Sequence, residues 1–133
     1  MAHKAVEEAV EARLRASWTA SAIFSENEEA TAPGDGSAFV TVQFPLSETR
    51  RWPVSDRLYR EEGRFRLVMS IPAGTGKAML RDWGGQLAAL FRDVTFDGVS
   101  CQVPGSPATI DDGGGGYFVA AFTVPFTFNF REA

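Results

Sequence analysis

The last segment of the chain carries its longest run of alternating side chains. From Tyr117 to Phe130 every second residue is apolar, and these positions hold five of the eleven phenylalanines of the chain: Phe118, Ala120, Phe122, Val124, Phe126, Phe128 and Phe130. Because strand side chains alternate between two faces, the pattern predicts one long strand with a single apolar face. At about 3.3 Å per residue it would span roughly 45 Å, more than one small sheet needs. Helices or another subunit must cover this face, and we expect the end beyond Pro125 to reach past its own domain.

A second segment, from Gly63 to Phe91, predicts a strand, a turn and a helix. The strand face consists of Phe65, Leu67, Met69 and Ile71, and the helical stripe consists of Leu80, Trp83, Leu87, Leu90 and Phe91. Pro72 and Gly74 end the strand. Gly84 and Gly85 interrupt the helix, and each costs about 1 kcal/mol relative to alanine. The glycine pair therefore indicates close backbone approach or a kink.

The remaining periodic segments complete an α+β pattern. Residues Ala2 to Trp18 predict an amphipathic helix, because apolar residues recur every fourth position. Shorter strands are predicted over 20–24 and 38–46, and a hairpin is predicted over 94–103 around Asp97-Gly98. We therefore expect a single domain spanning residues 1–133. Its fold class is α+β, with a mixed or antiparallel sheet of about five strands and two helices packed on one face.

The segment from Ser47 to Gly63 has neither a helical nor a strand period. Such a stretch is either a solvated hairpin or loop, or a functional surface, and the sequence favours neither reading. Arginine beside aromatic residues is the composition of interface hot spots. Together with two arginines of the strand that follows and the apolar end of the last strand, this segment supplies the candidate interface residues: Arg50, Arg51, Trp52, Arg57, Tyr59, Arg60, Arg64, Arg66, Phe126, Phe128 and Phe130.

Two loops carry unusual composition without a recognisable site. The acidic stretch 25–36 lacks the ligand spacing of a calcium loop, so we interpret it as solvated. The glycine-rich stretch 104–116 is not followed by a helix start, which favours a hinge or spacer over an anion cradle.

The sequence contains no recognisable catalytic chemistry. The stretch GTGKA fails as a phosphate-binding loop, because Ile71 stands where the first glycine is needed and Ala78 where Ser or Thr is needed. The single histidine, His3, lies in a terminus expected to fray, and the single cysteine, Cys101, falls on an apolar strand face. We therefore predict no catalytic, cofactor-binding or metal-binding residues and no cofactor.

Overall charge and hydropathy exclude several classes of protein. The net charge is −4 and the pI is about 5.0, whereas a dedicated nucleic-acid binder would be basic. One cysteine allows no intrachain disulfide, and the N-terminus lacks the apolar core of a signal peptide. No apolar run approaches the ~18 residues of a membrane span. We expect a soluble protein made in a cytoplasm; the bacterial origin of that cytoplasm is implied only by the resemblance described next.

The order of these elements resembles the tail terminator (tail completion) proteins of long-tailed bacteriophages. The resemblance covers nearly the whole chain, and its most specific part is the strand, PxGxG turn and helix from Tyr59 to Phe91. It implies a non-enzymatic virion protein that forms a ring, typically a hexamer, at the head-proximal end of the tail tube. The particle that contains the protein would be an infectious phage or a phage-like gene transfer particle.

The resemblance also implies a set of partners and a location. The partners are other copies of the chain, the tail tube protein and the head-completion or stopper protein, at the head–tail junction. DNA would pass through the lumen without sequence-specific binding, which an acidic protein allows. Two alternatives stay open: another neck component, such as a stopper or adaptor, and a small α+β enzyme or ligand-binding domain whose phenylalanine-rich face lines a pocket.

Overall fold

Two α-helices and seven β-strands make up the computed structural model, which describes residues 2–25, 37–51, 57–74, 78–112 and 116–131. In chain order the elements are α1 (Lys4–Ser17), β1 (Ala22–Ser25), β2 (Phe39–Arg51), β3 (Leu58–Pro72), α2 (Ala78–Phe91), β4 (Thr95–Phe96), β5 (Val99–Cys101), β6 (Ala108–Asp112) and β7 (Tyr117–Arg131). The α+β class predicted from the sequence is confirmed.

All the strands join one sheet, in the order β1-β2-β3-β7-β5-β4, and β6 also pairs with β7. Strand β1 runs parallel to β2, and the other pairs are antiparallel, so the sheet is mixed. Strands β3 and β7 pair along their full lengths, from Leu58 opposite Arg131 to Pro72 opposite Tyr117. The long final strand predicted from alternation is therefore an interior strand of the sheet.

The two helices cover one face of the sheet and bury it together with their own apolar stripes. Phe65 of β3 meets Phe91 of α2 edge-on, with ring centroids 5.0 Å apart. The helices also touch each other, because Trp18, just after α1, meets Trp83 of α2 at 5.0 Å. Burial of each large apolar side chain contributes about 1.5–3 kcal/mol. The phenylalanine-rich face of β7 is thus covered within the chain.

The expectation of about five strands is wrong, because the described residues form seven. The stretch 104–116, predicted to be a hinge or spacer, contains β6, which pairs with residues 118–121 of β7. In Ala108–Asp112 only Ala108 and Ile110 are apolar, a pattern too short to predict a strand, so its hydrogen bonding to a distant strand identifies it as one.

The aperiodic segment 47–63 forms the continuation of β2 and β3 on either side of residues 52–56. Ser47 pairs with Gly63, and the register continues to Arg51 opposite Tyr59. Residues 52–56, including Trp52, lie outside the described residues. Polar residues occupy both faces here, so the pairing could not be read from an alternation of polar and apolar residues. The described residues of this segment therefore form two paired antiparallel strands.

The end of β7 beyond Pro125 does not project from the chain as expected. It stays paired with β3 as far as Arg131. The ring of His3 covers it, with centroids 5.3 Å from Phe128 and 4.6 Å from Phe130. The N-terminus is therefore packed against the sheet, where fraying was expected.

A β-bulge divides β2 into two parts. Gln43 pairs with Arg66 but Leu46 pairs with Arg64, so Phe44 and Pro45 together face one residue of β3. Pro45 has no N–H to donate, which suits it to this irregular position. Beyond the bulge the strands approach closely: a Cβ on Gly63 would lie 2.5 Å from the carbonyl oxygen of Leu46 and 2.9 Å from Cα of Ser47. Only glycine fits there without moving backbone.

Replacing Gly63 by alanine should therefore destabilise the fold by about 1–3 kcal/mol, because β2 must shift away from β3. Urea unfolding monitored by circular dichroism measures the change. Gly105→Ala is the matched control, since its Cβ would only reach ordinary contact at 3.8 Å from Thr123. Equal stability of the two variants would contradict the close approach at Gly63.

Candidate interaction surface

None of the described residues gather as three or more His, Cys, Asp or Glu side chains in a metal-binding arrangement. None of the helices in the described ranges has the length and apolar character needed to cross a membrane. The candidate site consists of the residues that the sequence predicts at an interface.

Cys101 lies in the core, as its position on an apolar strand face predicted. Its side chain is buried, and this burial raises the pKa of the thiol to about 12, opposed in part by the positive charge of Arg13. A thiol held protonated in this way is a poor nucleophile. Cys101 acts as a small apolar side chain.

The raised pKa of Cys101 predicts a loss of stability in alkali. Because the folded pKa lies above the unfolded value, the stabilisation is complete below the unfolded pKa and is lost as the pH rises towards 12. Between pH 9 and 11 this thiol should steepen the fall in unfolding free energy by up to about 1.4 kcal/mol per pH unit. Urea unfolding of the wild-type chain and Cys101→Ala at several pH values isolates the effect, and parallel pH profiles would refute it.

Beyond the bulge, β2, β3 and β7 stay paired, and β5 pairs with the other edge of β7; residues 46–51, 58–64 and 125–131 are here called the arm. Residues directly opposite on paired strands share a face. Glu61 is opposite Phe128, and Tyr59 is opposite Phe130, so these residues share the helix-side face. Arg60 and Arg64 alternate with them and lie on the outer face.

The outer face of the arm is a charged surface with an unusual register. Arg50 is directly opposite Arg60, and Glu48 is directly opposite Glu62, so like charges form rows across the strands. Oppositely charged neighbours lie along each strand instead: Arg50 Nη2 is 3.6 Å from Glu48 Oε2, and Arg60 Nε is 3.1 Å from Glu62 Oε1. Both members of the Arg50–Glu48 pair are exposed, so this pair contributes at most about 1 kcal/mol. Arg60 is half-buried.

Arg64 and Arg66 extend the outer face towards the body of the sheet. Arg64 is exposed, whereas Arg66 is half-buried and donates from Nε to Oε1 of Gln43 at 2.8 Å. The structure therefore brings together four of the sequence-predicted residues on one surface: Arg50, Arg60, Arg64 and Arg66.

The other sequence-predicted residues occupy different places. Phe126 is 1% exposed and belongs to the core, and Phe128 is buried beneath His3. Phe130 is half-buried and stacks on Tyr59, with ring centroids 5.5 Å apart. Arg51 shares the helix-side face with Tyr59 and is exposed. Arg57 is exposed immediately before β3. The ten predicted residues that the structure describes therefore do not form one continuous patch.

Sequence reasoning missed Glu61, which attaches the N-terminus to the arm. Its carboxylate is 3% exposed, and both oxygens accept from the backbone N–H of His3 at 3.0 Å. His3 in turn begins α1, because its Nδ1 accepts from the N–H of Ala5 at 3.1 Å. The sequence contained a signal for this position. Glu61 lies four residues before Phe65, and side chains an even number of residues apart in a strand lie on the same face.

Loss of the Glu61 carboxylate should loosen this attachment. Glu61→Ala leaves the His3 N–H without its acceptor and opens space beside Phe128, for a cost of about 1–3 kcal/mol. Glu62→Ala is the control, because it removes a neighbouring carboxylate from the exposed face. Urea unfolding and limited proteolysis of the N-terminus report the difference, and equal protease resistance of the two variants would count against the attachment.

Two concave surfaces lie on opposite sides of the sheet. A groove of about 410 Å³ crosses the outer face beside Leu46, Glu48, Glu62 and Arg64. A cleft of about 460 Å³ lies between α2 and residues 104–109, and it includes Gly84 and Gly85. A Cβ on Gly84 would lie 3.0 Å from Cγ of Pro107, so the close approach predicted for the glycine pair is confirmed at that position.

Comparison with known proteins assigns a family to this architecture. A family model described as phage tail terminator protein matches residues 5–126, from α1 into the second half of β7. No curated protein matches the chain. Among solved structures 24 chains match, and one of them aligns over 100% of this chain and 99% of its own at 21% identity, with a TM-score of 0.63. That structure shows the shared fold alone.

Proposed function

This chain belongs to the phage tail terminator family, and we propose that it forms a ring, of six copies as the resemblance implies, that ends polymerisation of the tail tube at its head-proximal end. The family itself gives the chain a structural role in the phage tail. The observation that carries the proposal is the extent of the match, which includes both helices and most of the sheet. Turnover of a substrate has no part in such a role.

A ring requires contacts between two different surfaces of neighbouring copies, arranged so that the rotation closes. The arm supports this proposal, because its outer face carries exposed arginines and carboxylates outside the core. We assign contacts with neighbouring proteins to residues at or near its surface: Arg50, Arg51, Arg57, Tyr59, Arg60, Arg64, Arg66 and Phe130. Trp52 is also assigned to these contacts, on the basis of its sequence context. Phe126 and Phe128 support the arm from within the core.

The proposed partners follow from the proposed position of the ring in the tail. One side of the ring contacts the tail tube protein, and the other contacts the head-completion or stopper protein. DNA passes through the lumen without sequence-specific contacts, which the net charge of −4 supports, because carboxylates repel the DNA backbone. The assembled location is the head–tail junction of a phage or a phage-like gene transfer particle.

Electron microscopy of particles made without this chain tests the proposal. Loss of termination should produce tail tubes of abnormal length that carry no heads, because subunits continue to add at the unfinished end. Expression of the wild-type chain from a plasmid should restore normal length and head attachment. Headless tails of normal length would contradict termination and would favour a stopper or adaptor position.

A further inference from the structure

The outer face of the sheet carries more positive than negative charge, although the whole chain has a net charge of −4. On β2, β3 and β7 the charged residues of this face are five arginines and two glutamates: Arg50, Arg60, Arg64, Arg66, Arg131, Glu48 and Glu62. The two glutamates lie within ion-pair distance of Arg50 and Arg60, so these four charges largely compensate one another. The excess positive charge therefore belongs to the other three arginines.

These three arginines have no acidic partner in the part of the chain that the structure describes. None of its carboxylates forms an ion pair with Arg64, Arg66 or Arg131. Arg64 and Arg131 are exposed, and Arg66 is half-buried. Arg66 donates from Nε and Nη2 to Oε1 of Gln43, a neutral group that fixes the guanidinium without compensating its charge. A guanidinium has five N–H donors, so others remain for a second acceptor.

The groups around these arginines suit phosphate better than a protein surface. Thr123 is directly opposite Arg66, and Thr127 is directly opposite Glu62, so hydroxyl donors lie on the same face. Guanidinium and hydroxyl groups are common donors to the phosphate oxygens of DNA. A protein interface has an apolar centre. Leu46 is, among the described residues, the only exposed large apolar side chain of the arm.

The three arginines also form a line along the sheet. Arg64 and Arg66 are two residues apart on β3, which is about 7 Å. Arg131 is directly opposite Leu58, six residues or about 20 Å from Arg64. Each strand of B-DNA carries one phosphate per roughly 3.4 Å of helix axis, so a line of this length runs beside about eight base pairs.

We propose that Arg64, Arg66 and Arg131 contact the phosphates of double-stranded DNA without reading its sequence. This inference rests on the proposed function, which brings DNA through the ring. It narrows the contacts assigned there, because the outer-face arginines meet DNA while the helix-side and tip residues of the arm meet neighbouring proteins. Carboxylates elsewhere on the chain repel the DNA, so the contact is weak and DNA can still move past it.

The salt dependence of DNA binding tests this contact. Fluorescence anisotropy of a labelled 20-base-pair duplex, titrated with the purified full chain at 50 to 200 mM salt, should show non-specific binding, which typically has a Kd of about 10⁻⁴–10⁻⁶ M. Replacing Arg64, Arg66 and Arg131 together by glutamine should weaken binding at 50 mM salt at least about tenfold. It should also lower the slope of log K against log salt by about 2.7, because three phosphate contacts are lost.

Two further variants separate phosphate contact from net charge and from misfolding. Lys4→Gln with Arg81→Gln and Arg92→Gln removes the same charge from the two helices and should leave the slope unchanged. Replacing the three outer-face arginines by lysine should keep the slope, because lysine binds phosphate as a point charge. Absence of wild-type binding, or an equal loss of slope in the helix variant, would overturn the proposal.

Retention in purified tails distinguishes DNA from a protein partner. The glutamine variant of Arg64, Arg66 and Arg131 should be retained within about threefold of wild type, measured against tube protein by quantitative mass spectrometry. A larger loss, in a variant whose melting temperature is unchanged, would show that these arginines contact a protein and would overturn the proposal. Wild-type chain absent from tails would defeat the proposed function itself. Wild-type chain present in tails that does not bind the duplex would defeat this inference alone.

Discussion

The antiparallel pairing of β3 with β7 is the interaction on which the rest of this structure depends. All fifteen residues of each strand take part, from Leu58 opposite Arg131 to Pro72 opposite Tyr117. The pairing aligns two apolar faces, and α1 and α2 bury them together. The other strands attach to this pair through β2 on one side and β5 and β6 on the other. Burial of the shared face drives folding, while the ladder fixes which residues point outward.

This pairing also explains why the arm has two unlike faces. On the helix side, Glu61 and the aromatic rings near Phe128 are covered by the N-terminus. On the outer side lie rows of arginine and glutamate, of which Glu48, Arg50 and Glu62 are exposed and Arg60 is half-buried. The bulge at Pro45 and the absence of a side chain at Gly63 allow β2 to pair with β3 in the register that gives the arm these two faces. A single ladder thus provides both the core and the contact surface.

The sequence by itself determined the elements that bury an apolar face: β7, β3 and the stripes of both helices, together with the core position of Cys101. Alternation and helical spacing are local properties, so they can be read without knowing the fold. It also named the arginines of the arm, but it did not show which residues stand opposite them in the sheet. The tertiary structure alone decided that β6 is a strand, that Glu61 accepts from the N–H of His3, and that Arg50 stands opposite Arg60. Those features depend on hydrogen bonds between distant segments, which leave no periodic pattern in a polar stretch.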